Sequence, residues 1–157
     1  MKSNNKGEFI YINNFLKKIP EFNTEVIVGL GHSVAVNATL SAYSILDISR
    51  LVEFFIDLKT KSNSPCELWF GTCYWPRHLQ PNVLTGEYAI RARQELEKSI
   101  QLIKTISNNP SRSLTELENI LKMLNTPAED EFNKFARYTK DLDLIRNQSF
   151  NKTFIKK

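Results

Sequence analysis

Few side chains in this sequence are of a type and spacing that could do chemistry. Cys66 and Cys73 stand seven residues apart, with His78 close behind. Thiolates and an imidazole are zinc ligands, but such sites usually pair cysteines about two to four residues apart with further ligands nearby. The spacing therefore favours a buried small side chain at Cys66 and a loop thiol at Cys73. His32 lies in Gly31-His32-Ser33 and could act as a general base. No acidic residue stands near it in sequence to orient the ring, so a hydrogen-bonded strand histidine is the better reading. Trp69, Tyr74 and Trp75 cluster beside Arg77 and His78. Aromatics interleaved with cations can stack on a planar ligand, or they can plug the end of a sheet. They follow an expected strand at its C-terminal end, where α/β proteins place their sites. Tyr74, Trp75 and His78 are accordingly the candidate substrate-binding residues. Gly29-Leu30-Gly31 lacks the rest of a dinucleotide fingerprint, and there is no phosphate loop, nucleophile elbow or HExxH. No catalytic residue and no metal ligand is assigned.

The chain that must position these residues has 157 of them, 21 basic and 17 acidic, for a net charge of +4. That length suits a single domain, 1–157. Five glycines and six prolines exclude a collagen-like or low-complexity chain, and two cysteines exclude a disulfide scaffold. No apolar run is long enough to span a bilayer, and the first residues lack a signal-peptide core. A cytoplasmic location is expected. The basic residues are dispersed. Arg91, Arg93, Lys98 and Lys104 share an expected helix with Glu87, Glu95 and Glu97, which suggests a solvated face and no nucleic-acid stripe.

Periodicity divides the chain into a helix-strand-helix-strand part at 8–70, a loop at 71–86 and a helical region at 87–150. Phe9–Ile19 reads as a helix stopped by Pro20. Glu25–Ala38 reads as a strand, with a bulge or a tight turn at Gly29-Leu30-Gly31-His32 and the bulge preferred. The next helix starts at Ser44, with Asp47 closing a capping box, and carries Ile45, Ile48, Leu51, Val52, Phe55 and Leu58 on one face. Cys66–Phe70 is the second strand. Strand, helix, strand at this spacing predicts a parallel βαβ unit with a right-handed crossover. Three helices follow. The first runs from Thr85 to about Ser107, with Ala89, Ala92, Leu96, Ile100, Ile103 and Ile106 inward. The second is capped by Ser113 and Glu116. The third, capped by Thr126 and Glu129 with Pro127 at its first position, buries Phe132, Phe135, Ala136, Thr139 and Leu142. The expected fold class is α/β. Two strands alone leave unpaired edges, so this pair looks made for a larger sheet.

The run Tyr138-Thr139-Lys140-Asp141-Leu142-Asp143-Leu144-Ile145-Arg146-Asn147-Gln148-Ser149-Phe150 resembles the C-terminal signature of twitch-type radical S-adenosylmethionine proteins. Thr39-Leu40-Ser41-Ala42-Tyr43-Ser44-Ile45-Leu46 is similar to a segment those proteins carry after a barrel strand. Asn82-Val83-Leu84-Thr85 stands where they start a helix with Leu-Pro, and the proline is absent here. The resemblance covers roughly Phe9 to Phe154 and implies the closing part of an incomplete (β/α) barrel. It implies S-adenosylmethionine and a 4Fe–4S cluster for a complete assembly, and neither cofactor on this chain alone. The CxxxCxxC loop that holds such a cluster is missing, so the chain would be inactive without a cluster-bearing N-terminal partner. Thr39, Ser41 and Tyr43, in the loop after the first strand, become candidate cofactor-binding residues. The alternative is a non-catalytic binding module or truncated remnant, docking or self-associating through the strand edge or the Tyr74/Trp75 loop.

Overall fold

Apolar or small side chains alternate with exposed ones along Val36-Asn37-Ala38-Thr39-Leu40, the period-two pattern of a strand with one buried face. In the computed structural model of the chain, which describes residues 34–62, 66–106 and 112–154, this segment belongs to β1 (Val34–Leu40). The expected helix at Phe9–Ile19, the start of the first strand and His32 lie outside the described residues. β1 ends two residues beyond the expected Ala38, and β2 (Cys66–Thr72) runs two past Phe70. The two strands pair in parallel, Val36 opposite Leu68 and Ala38 opposite Phe70. The chain between them forms a 3₁₀ turn (Ser44–Asp47) and α1 (Ile48–Ser62). The expected α/β class and parallel pair therefore hold.

Two further 3₁₀ turns, Arg77–Leu79 and Pro81–Val83, fill the segment expected to be irregular. Then come α2 (Gly86–Ile106), α3 (Arg112–Met123), α4 (Glu129–Arg146) and a short α5 (Phe150–Phe154) that periodicity did not suggest. α2 is the central helix and packs on both α1 and α3. Ala92, Leu96, Ile100 and Ile103 are buried as expected, against a core that includes Leu40, Ile45, Ile48, Val52, Leu68 and Phe70. Ile106 and Ala89 are only half-buried, and Ala136 of α4 is exposed where burial was expected.

The helix starts depart from the expected capping boxes. Ser44 does not pair with Asp47. Its hydroxyl accepts the Ser41 N–H at 2.8 Å and donates to the Thr39 carbonyl at 3.2 Å, while Ser41 Oγ accepts the N–H groups of Tyr43 and Ser44 at 3.3 Å each. The reciprocal pair is thus Ser41/Ser44, three residues earlier, and Asp47 binds Arg50 at 3.0 Å instead. Thr126 and Glu129 form no box either. Thr126 Oγ1 donates to the Met123 carbonyl, and Ala128 is the N-cap, with no side-chain cap bond. Pro127 therefore precedes the helix.

Ser113 and Glu116 are diverted from capping α3 by a stronger demand. Parallel pairing turns alternate residues of a strand outward, and the outward polar groups of β2 need partners. Ser113 Oγ donates to the Leu68 carbonyl, and the Phe70 N–H donates to Glu116 Oε2. Arg112 holds that carboxylate at 2.7 Å and lies 4.8 Å above the Trp69 ring. α3 thereby packs against the outer side of β2 and holds these two groups with side chains. Glu116→Ala leaves the buried Phe70 N–H without its acceptor and should cost about 1–3 kcal/mol in urea unfolding. An unchanged midpoint would mean that the edge is satisfied another way.

The charged residues of α2 do more than face solvent. Arg91 Nε donates to the Leu46 carbonyl at 3.0 Å, Arg93 to Asn125 Oδ1 at 2.7 Å, and Lys98 pairs with Glu53 at 2.8 Å. Glu95 accepts the Ser49 N–H at 3.2 Å. These contacts tie α2 to its neighbours through Arg91, Arg93 and Glu95, while Glu87, Glu97, Lys98 and Lys104 are exposed as expected of a solvated face.

Candidate functional site at the strand ends

Because β1 and β2 are parallel, the loops that follow them emerge at the same end of the sheet. The Cys73 N–H continues the pairing to the Leu40 carbonyl, and the Ala42 N–H donates to the Leu79 carbonyl, each at 2.8 Å. These two bonds bring the candidate residues of both loops to one end.

The two groups of candidates differ in what their side chains are already doing. Ser41 is engaged in the cap with Ser44, and the Tyr43 hydroxyl lies 2.7 Å from Thr139 Oγ1 of α4. Thr139 in turn donates to the Phe135 carbonyl. Thr39 is exposed at the end of β1. Tyr74 and Trp75, by contrast, are 71% and 81% exposed. Their backbone is held from below, since Gln80 Nε2 donates to the Tyr74 carbonyl at 2.8 Å and the half-exposed Cys73 thiol donates to the Trp75 carbonyl at 3.4 Å. Two large aromatic side chains are thus displayed on a tethered loop. Trp69 does not join them. Its Nε1 donates to Glu67 Oε2 at 2.9 Å, and its ring carries Arg112.

His78 sits between the display loop and α4, its ring 5.2 Å from that of Tyr138. Its Nε2 is buried and has no hydrogen-bond partner among the described residues, and Asn82 Oδ1 is in the same condition. Such atoms are costly unless water or a shift of neighbouring groups satisfies them.

The run Tyr138–Phe150 has a physical role here. Thr139 ties down Tyr43, and the Tyr138 ring lies tilted against His78. The Asp143 carboxylate accepts the Phe150 N–H with both oxygens, at 3.1 and 3.0 Å. Asn147 adopts the left-handed conformation (φ 50°) that ends α4. Phe150 then enters an aromatic cluster with Tyr43, Tyr88 and Phe135. The run is therefore a clamp between the C-terminal helices and the loops at the strand ends. Reading the residues singly missed Tyr138 and Phe150, although their place in one thirteen-residue motif was the available signal.

Burial holds the Tyr43 phenol above its usual value near 10, with the Thr139 hydrogen bond opposing, and burial also raises Tyr88. A raised phenol favours the neutral form in the folded state. The Tyr43 contribution is thus intact below the unfolded value of about 10 and lost as pH climbs through the raised folded value. Wild type should lose thermal stability above pH ~10 more steeply than Tyr43→Phe does. Parallel losses would assign the effect to other groups.

Among the described residues, no group of three or more His, Cys, Asp or Glu side chains stands close enough to hold a metal ion. No helix among them is long and apolar enough to cross a membrane. Comparison of the chain with family models, curated proteins and solved structures gives no match.

Proposed function

We propose that this chain is the closing section of a radical S-adenosylmethionine enzyme and acts only when joined to a cluster-bearing partner. The observation that carries the reading is the asymmetry of the two sheet edges. On the outer side of β2, α3 packs against the strand and holds the Leu68 carbonyl and the Phe70 N–H through Ser113 and Glu116. On β1, pairing with β2 uses the residues in phase with Leu40, which leaves the polar groups of Ala35, Asn37 and Thr39 pointing away. Among the described residues only the Thr39 carbonyl is met, by Ser44 Oγ. The face carrying these side chains is also open. Ala35, Asn37 and Thr39 are exposed, and a Cβ at Gly71 would touch nothing. Parallel sheets are normally covered on both faces. A sheet that, among the described residues, is covered by α3 at β2 and bare along β1 fits what the last strands of an open barrel require.

The donors on this chain do not fit an iron–sulfur cluster, because Cys66 and Cys73 lack the clustered spacing. The cluster would belong to the partner, and no chemical step is assigned to residues here. This chain would supply two strands, the helical closure and the strand-end loops. Anaerobic mixing with a cluster-bearing half-barrel should protect the Ala35 and Asn37 amides from exchange, and unchanged exchange would refute the pairing. The chain alone should be aggregation-prone through that edge. A cooperative, monomeric melt would count against the proposal.

One observation favours a second reading, a non-catalytic docking module. Trp75 is 81% exposed beside Tyr74 at 71%, so two adjacent aromatic side chains are presented to solvent together. Trp75→Ala should change stability by less than about 0.5 kcal/mol. On the docking reading it abolishes partner capture, whereas on the edge-pairing reading capture persists.

A further inference from the structure

We infer that β1 is a self-association edge, through which two copies of this chain pair as a closed dimer. The inference rests on the bare β1 edge that the proposed function uses, but it needs no cluster-bearing partner. Edge strands that stay single are normally guarded by lysine, proline or a bulge. Val34-Ala35-Val36-Asn37-Ala38-Thr39-Leu40 holds no charged residue and no proline, and its register with β2 is unbroken. That register turns the N–H and C=O groups of Ala35, Asn37 and Thr39 away from β2. Among the described residues they meet only Ser44 Oγ, at the Thr39 carbonyl, which keeps a second lone pair.

The occupant that fits this edge is a second copy running antiparallel, the more stable of the two strand pairings. A two-fold axis at Asn37 sets Asn37 opposite itself and Ala35 opposite Thr39. Because all three residues point outward, each pair exchanges N–H and C=O directly. The side chains brought side by side are exposed in the single chain. They are also small and uncharged, so no like charges meet across the axis. Growth stops there. On the far side of β2, α3 packs against the strand and holds the Leu68 carbonyl and the Phe70 N–H. The product is one sheet in the order β2-β1-β1-β2, with no free β1 edge.

Sedimentation equilibrium of the full chain, with hydrogen exchange at β1, tests this. The wild-type mass is expected to rise with concentration from 18.2 kDa to twice that value and no further. The Ala35 and Asn37 amides should become protected in step. Asn37→Lys and Asn37→Asp each set like charges directly opposite and should each weaken self-association by about threefold or more. An equimolar mixture of the two variants should regain it, because lysine then faces aspartate. That rescue separates lost pairing from poor folding. A monomer at every concentration would overturn the inference. If its Ala35 and Asn37 amides exchange freely, the edge stays open and the proposed function survives. If they are protected in the monomer, the proposed function falls as well. Assembly beyond two copies, or charged variants that pair as tightly as wild type, would also overturn the dimer.

Discussion

Replacing Phe135 with alanine should destabilise the chain by about 3–5 kcal/mol, the range for emptying a buried phenyl site. Phe135 is 2% exposed. Its ring meets Tyr43 at 5.2 Å, Phe150 at 5.7 Å and Phe132 at 6.3 Å, so the cavity would open between α4, α5 and the loop after β1. The neighbours are large rings fixed from other sides, Tyr43 by Thr139 and Phe150 by Asp143, and they cannot collapse far into the space. Phe132 is only half-buried, and Phe132→Ala should cost clearly less. Urea unfolding of both variants measures the difference. A loss at Phe135 on the order of 1 kcal/mol would mean that the aromatic cluster is not what joins the C-terminal helices to the sheet.

A proline at position 37 should separate the two edges of β1. The Asn37 N–H points away from β2, so Asn37→Pro removes no bond between the two strands. Proline is tolerated on edge strands for that reason, and the residue before it stays extended. The isolated chain should lose on the order of 1 kcal/mol, whereas association with a partner strand should be abolished. Ala38→Pro is the control. Its N–H faces β2, so the substitution breaks the existing pair and should cost far more in the isolated chain. If Asn37→Pro unfolds the chain as thoroughly as Ala38→Pro, the outer edge is already paired and the proposed growth of the sheet from β1 fails.

The elements were legible where one residue pattern had one interpretation. The faces of α1 and α2 follow from Ile48, Val52 and Phe55 and from Leu96, Ile100 and Ile103, whose spacing only a helix brings together. The caps were not legible, because a hydroxyl or carboxylate near a helix start answers whichever buried backbone group is nearest. Ser113 and Glu116 have the spacing of a capping box, yet the unpaired edge of β2 lies within their reach. Ser44 has Ser41 on one side and Asp47 on the other, and periodicity cannot choose between them. Of the candidate site, the loops 39–43 and 74–78 were found from their position after the strands. The partners that fix them, Thr139 on Tyr43 and Tyr138 on His78, stand about sixty or more residues away in sequence, beyond the range of any local pattern.

On the proposed function, β1 receives a strand from a cluster-bearing partner. The most direct measurement is anaerobic co-expression of this chain with a CxxxCxxC-bearing half-barrel, followed by affinity capture of the half-barrel and quantification of 5′-deoxyadenosine under reducing conditions with S-adenosylmethionine. The expected result is equimolar capture and S-adenosylmethionine cleavage that needs both chains, with both lost in Asn37→Pro. A half-barrel that neither retains this chain nor gains activity from it would contradict the claim.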